Sequence, residues 1–166
     1  PRTQVLTTFV VVCAIAMRWF YNLHRSVIVL LMDRICSLAA SLVFLGLVLW
    51  QIYRESPYTV HKIRGASAAY LLFASIFAFL YNIIEILRPG AFTIAGTGRM
   101  LAPGQIESFQ YFSIATITTV GFGDIIAVHP LARTLVMMEA IIGVLYPPIL
   151  IGVLVSLHTE KLRQKS

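Results

Sequence analysis

The residues Thr118-Thr119-Val120-Gly121-Phe122-Gly123-Asp124 have the types and spacing to hold a bare cation. A dehydrated cation needs oxygen ligands, and backbone carbonyls supply them where water cannot follow. Aiming consecutive carbonyls to one side requires an alternating backbone with some residues at positive φ, which glycine reaches without steric cost. Gly121 and Gly123 stand at alternate positions and meet that need. Thr119 adds a hydroxyl oxygen at the inner end, while Val120 and Phe122 point away from the carbonyl line and wedge the strand against its surroundings.

Such a strand has to be carried to membrane depth, and the composition provides for that. Of the 166 residues, 58% are hydrophobic and 12% charged, whereas soluble domains carry about a quarter charged residues. The apolar residues come in runs, and roughly 20 together are needed to cross the hydrocarbon core. Four long apolar segments are present: residues 5–17 with an aromatic end at Trp19, Phe20 and Tyr21; residues 35–50, extended upstream to 27–32 across Asp33 and Arg34; residues 66–84; and residues 130–157, opened by Pro130 at a first helical turn. The first has the shortest apolar core and no cleavage pattern, so it reads as a retained helix. Residues 88–108, rich in Gly, Pro and Thr, read as a loop.

Residues 109–118 are apolar and hydroxyl-bearing but too short to span, since about ten helical residues cover half the hydrocarbon thickness. A half-length helix followed by a glycine-rich strand is a re-entrant loop, which survives at membrane depth only inside protein or beside a watery cavity. Entering from near Glu107 or Ser108, this helix aims its negative C-terminal end at the cavity below the strand, in favour of a cation.

The run Tyr111-Phe112-Ser113-Ile114-Ala115-Thr116-Ile117 and the seven residues after it resemble the pore helix and selectivity filter of the tetrameric potassium channels. The likeness extends from about Ala66 to Leu157, and two extra N-terminal helices precede it. The resemblance implies stacked K+ sites made by the carbonyls of Thr119, Val120, Gly121 and Phe122 with the Thr119 hydroxyl, Gly123 completing the filter. It also implies a homotetramer, because one chain holds a single loop and a single loop cannot surround an ion. The fold expected is therefore an all-α membrane protein of four transmembrane helices, with one re-entrant pore loop between the last two.

Departures from the usual family pattern are self-consistent. Phe122 replaces a tyrosine, and Phe112 stands where that hydroxyl's tryptophan partner often sits, so both polar members are gone together. Removing both is nearly neutral, whereas removing one is costly. Ala115 occupies a position where some bacterial relatives place a glutamate, which leaves Tyr111 to reach Asp124 through its hydroxyl. Selectivity is expected to be kept, with filter stability and slow inactivation different from the glutamate-bearing relatives. Gly143, nineteen residues after Asp124, falls where the family often has its gating hinge. Pro147 and Pro148 lack the amides that would bond to the Gly143 and Val144 carbonyls, so bending should concentrate there. Glu139 is ionisable within an apolar helix and so a functional candidate; it either faces the cavity or bonds to the back of the pore helix.

The division expected is a peripheral helix pair at 1–57, a pore domain at 58–160 and a basic cytoplasmic tail at 161–166, in a multi-pass protein of the cell membrane. The partners are the bilayer and three further copies, and regulatory domains or subunits outside this chain stay open. Charge fixes orientation weakly, because Arg54, Lys62, Arg64 and the tail on one side nearly balance Arg18, Arg25, Arg34, Arg88, Arg99 and Arg133 on the other. The net charge of +6 does not point to nucleic acid, since the basic residues share no face. Arg18, Arg25 and Arg34 lack the every-third-residue spacing of a voltage sensor. Cys13 and Cys36 read as packing residues, and His24, His61, His129 and His158 as interfacial ones. No nucleophile–base or metal constellation supports an enzyme, and no organic cofactor is expected. A poorly selective cation channel would alter the residues after Val120-Gly121, and a potassium uptake transporter would carry four loops in one chain. A non-conducting regulatory subunit remains an alternative.

Overall fold

The computed structural model describes Trp19, residues 26–54 and residues 59–163. In chain order these form α1 (Val27–Arg54), α2 (Thr59–Leu87), β1 (Phe92–Ile94), α3 (Ile106–Ile117), β2 (Ile125–Ala127) and α4 (Pro130–Arg163). Three of the helices contain stretches long and apolar enough to cross a membrane: Val27–Ile52, Arg64–Leu87 and Pro130–Val153. The chain is an all-α membrane protein whose short helix α3 lies between the last two spans. The remaining expected span, residues 5–17 with its aromatic end, lies outside the described residues apart from Trp19.

Ser26 precedes α1, and its hydroxyl accepts the Val29 amide at 3.3 Å, the bond by which serine satisfies an orphan donor at a helix start. Asp33 and Arg34 do not interrupt the helix. Both are buried, and their side chains pair at 3.3 Å, the arrangement that makes charge tolerable within an apolar segment. The helix is thus continuous upstream of the run at residues 35–50.

α2 is the central element. In its most apolar stretch 44% of the residues are buried, against 6% in α1 and 11% in α4. Ala69 and Ala78 are fully buried there, small enough for the neighbouring helices to approach closely. Above them Phe77, Tyr81, Phe92 and Phe109 form the core with Ala132 of α4. Among them the Phe92 and Phe109 rings meet edge to face, 5.4 Å apart at 85°, an arrangement favoured by the ring quadrupoles.

Residues 88–108 are more ordered than a plain loop. β1 pairs antiparallel with β2, Phe92 opposite Ala127 and Ile94 opposite Ile125, and Thr93 also bridges to Met100. Three-residue strands are too short for a period-two pattern to be read from sequence. The turn into β1 is held by Glu85, buried near the end of α2, which accepts the amides of Gly90 at 2.6 Å and Phe92 at 2.9 Å. At the other side, the Asn82 amide group donates to the Pro103 carbonyl at 2.7 Å.

Candidate functional site

A helix leaves its last carbonyls without partners of its own. In α3 these belong to Ile114, Ala115, Thr116 and Ile117, and the chain that follows turns back to take most of them. The amides of Thr118, Gly121 and Thr119 donate to Ile114, Ala115 and Thr116 at 3.1, 3.0 and 2.9 Å. The Ile117 carbonyl is taken from outside, by the Tyr70 hydroxyl of α2 at 2.6 Å.

Past the helix the backbone alternates. Thr119, Gly121 and Gly123, every second residue, have φ of +62°, +52° and +76°. Nothing lies within 4 Å of where a Cβ would stand on Gly121 or Gly123, so backbone conformation and not space demands glycine. Thr119 lacks that freedom. A β-branched residue at positive φ is an outlier, sustained at a cost on the order of 1–3 kcal/mol by surroundings that over-determine it. Residue type pointed to the two glycines and gave no sign that Thr119 shares their conformation.

All of Thr118 to Asp124 is exposed on the single chain. Val120 is uncovered, and the Phe122 ring stacks on Tyr111 of α3, with centroids 5.8 Å apart and planes 7° apart. The expected apolar pair of Phe112 with Phe122 is not formed within the chain. Phe112 instead faces Tyr81 and Phe92 at 5.5 and 5.6 Å, because successive helical residues point roughly 100° apart and Tyr111 has the face toward Phe122. Tyr111 and Asp124 line one pocket with Glu107, and the Asp124 carboxylate also accepts the Ile125 amide at 3.1 Å.

Glu139 settles behind α3. It is fully buried, and its carboxylate accepts the Tyr81 hydroxyl of α2 at 2.5 Å and pairs with the Ser113 hydroxyl of α3. Ser113 also lies 2.6 Å from the Ala74 carbonyl. One carboxylate therefore ties three helices together. Within the chain the Glu139 carboxylate thus lies against the back of the short helix. Ala115, one of the buried residues on α3, has only its backbone engaged with the loop.

Gly143 lies one turn further along α4, buried. A Cβ there would run into the backbone of Ile117, at its carbonyl and Cα, so close approach alone accounts for glycine at this position. Pro147 and Pro148 lie inside α4, which runs unbroken from Pro130 to Arg163. Between Gly143 and Pro147, Tyr146 donates to the Ala66 carbonyl at 2.8 Å and stacks on Tyr70 at 5.4 Å.

Sequence reasoning passed over Glu85, Tyr70, Tyr81 and Tyr146. The rule that singled out Glu139, an ionisable side chain inside a span, applies equally to Glu85. The tyrosines carry no such signal, since an aromatic residue in an apolar helix is ordinary.

A family description of ion channels matches residues 66–160, which takes in most of α2, the ribbon, α3, the loop and nearly all of α4. Among curated proteins, the chain is similar to the inward rectifier potassium channel Kirbac3.1 of Paramagnetospirillum magnetotacticum, 38% identical over 80 residues. The likeness covers 46% of this chain and 22% of that relative, so the chain spans less than a quarter of the relative's length. No solved structure matches the chain. With more than half of its residues inside the family match, the chain belongs to the ion-channel family.

Proposed function

We propose that this ion channel is potassium-selective and that four copies gather their Thr118 to Asp124 loops around one pore, letting K+ pass down its gradient. The observation that carries this reading is the positive φ at Thr119, Gly121 and Gly123, on a strand leaving the C-terminus of a 12-residue helix. Alternation of that kind is what a row of carbonyls aimed at a dehydrated cation requires.

On this reading the carbonyls of Thr119, Val120, Gly121 and Phe122 replace the hydration shell of K+, which is the cargo and not a resident cofactor. The Thr119 hydroxyl adds a further oxygen, and Gly123 ends the row. Tyr111, Phe112 and Asp124 support it from α3 and from the strand's far end. The exposure of the whole loop on one chain fits a site that further copies complete. The similarity to an inward rectifier potassium channel supports the choice of ion. Residues 58–160 act as the pore domain and 1–57 as a peripheral pair, with the tail at 161–166 on the cytoplasmic side of the cell membrane. Bending of α4 concentrates at Pro147 and Pro148, where two backbone bonds are missing, and Gly143 contributes by close packing.

The test is the reversal potential of the purified protein in planar bilayers, with K+ on one side and Na+ on the other. Reversal near the potassium equilibrium potential, with current abolished by Gly121→Asp, is the expected result. Reversal near zero would mean a poorly selective cation channel instead.

A further inference from the structure

Among the carbonyls that end α3, the loop itself closes Ile114, Ala115 and Thr116, and Ile117 depends on Tyr70. Tyr70 is therefore where another helix grips the base of the loop. Its ring does not stand alone: Tyr146 of α4 stacks on it at 5.4 Å and 27°, and Phe73 meets Tyr146 edge-on at 6.0 Å. The Tyr146 hydroxyl continues to the Ala66 carbonyl, one turn before Tyr70 on α2. Gly143, on the same side of α4, presses on the backbone of Ile117. Immediately after Tyr146 come Pro147 and Pro148, which withhold two amides from the α4 ladder. The weakest point of α4 by backbone bonding is thus fastened by a side chain to the residue that holds the loop base.

We infer that Tyr70 and Tyr146 form a latch, positioning residues that couple the bend of α4 to the geometry of the loop. With the latch closed, Tyr146 holds α4 against α2, and Tyr70 stays packed with its hydroxyl on Ile117. Bending at Pro147 and Pro148 draws Tyr146 off Ala66 and unstacks Tyr70, which frees the Ile117 carbonyl and loosens the residue next to Thr118. Both tyrosines are half-buried, and their bonds go to neutral carbonyls, so release is far cheaper than at the fully buried Glu139 carboxylate. Coupling is reciprocal: whatever the loop binds favours one position of α4.

The inference rests on the potassium reading for the identity of the ion, and two readouts separate the failures. The first is open probability in planar bilayers for wild type, Tyr70→Phe, Tyr146→Phe and the double variant. Each single variant keeps its ring and loses one hydrogen bond, and should shift the open–closed ratio roughly two- to tenfold. The double variant should shift it by less than the product of the two. The second readout is the K+ concentration that half-protects the assembled protein from heat, with Na+ as control. Tyr146→Phe should move this midpoint although the bond it removes goes to Ala66 of α2, whereas a purely structural loss would lower stability equally in both salts. Independent, multiplying effects with an unmoved midpoint would overturn the latch and leave the potassium reading intact. Currents that reverse at zero would overturn the potassium reading while open probability still decides on the latch. A wild type with neither current nor K+ protection would overturn both.

Discussion

The re-entrant segment is built on opposite terms in its two halves. α3 is finished by its own chain: Phe109, Ser113 and Ile117 are buried against α2 and α4, and Ser113 and Gln110 each bond to α2. The loop that follows is bonded to the end of α3 and stacked by Tyr111, yet from Thr118 to Asp124 it is exposed throughout. Val120 and Phe122 stand 55% and 66% exposed on the single chain, which fits the proposed assembly. The lesson is that the chain spends its own packing on aiming the helix and leaves the loop to be covered by the proposed assembly. Changes in the two halves should then fail differently, the helix through stability and the loop through conduction.

The largest expected effect tests that division directly. Gly123→Ala places a Cβ at φ +76°, where L-residues meet a penalty of about 1–2 kcal/mol, but nothing inside the chain stands within 4 Å to be struck. Helix content by circular dichroism should be unchanged, and macroscopic potassium current should vanish. Current at the wild-type level would mean that the loop is not the conduction element, and the contrast between the halves would break.

Gly143→Ala probes the other half. The added Cβ meets the Ile117 backbone, which cannot rotate aside as a long side chain would. Overpacking of that kind costs about 1–3 kcal/mol, against a gain of about 1 kcal/mol in helix propensity over glycine. The steric term wins because the obstacle is backbone, and the thermal midpoint in detergent should fall. A rise would show that α4 can move off α3 freely, and the helix would no longer count as self-completed.

Glu139→Leu is expected to cost less function and comparable stability. It leaves the buried Tyr81 hydroxyl without its acceptor, while Ser113 keeps the Ala74 carbonyl. An orphaned buried donor costs about 1–3 kcal/mol. Tyr81→Phe in the same chain removes that orphan, so the double variant should melt above Glu139→Leu alone. If it melts lower still, the Tyr81 hydroxyl has a partner other than Glu139 and the three-helix tie is misassigned.

These contrasts also explain what could be read from sequence. Three of the four expected spans, the half-length helix and the loop were legible because run length and glycine spacing report directly on membrane thickness and on positive φ. The extension of the second segment across Asp33 and Arg34 rested on the apolar run upstream, and their burial as a pair is a tertiary fact that no window of hydropathy carries. The ribbon at Phe92–Ile94 escaped because three residues hold too little periodicity. Phe112 and Phe122 read as an apolar pair by residue type, and within the chain helical geometry gives the Phe122 contact to Tyr111. Gly143 suggested a hinge by its position, and only the approach of Ile117 reveals a second, sufficient reason for glycine. Partners separated by 26 to 80 residues, such as Ser113 with Glu139 and Ala66 with Tyr146, are invisible without the fold.

The smallest effect asks which side of the comparison α1 belongs to. It lies outside the residues matched to the ion-channel family, and 6% of its most apolar stretch is buried, so it should matter to neither aiming nor conduction. Ser26→Ala removes the hydroxyl that accepts the Val29 amide, a cap worth about 1 kcal/mol. The loss should stay local, because the buried Asp33–Arg34 pair begins two turns further along and is untouched. Hydrogen exchange at Val29 and Leu30 should then quicken while the amides of α3 keep their protection. Potassium current should be unchanged. Altered current would place α1 among the elements that aim the short helix, and residues 1–57 could no longer be set apart as peripheral.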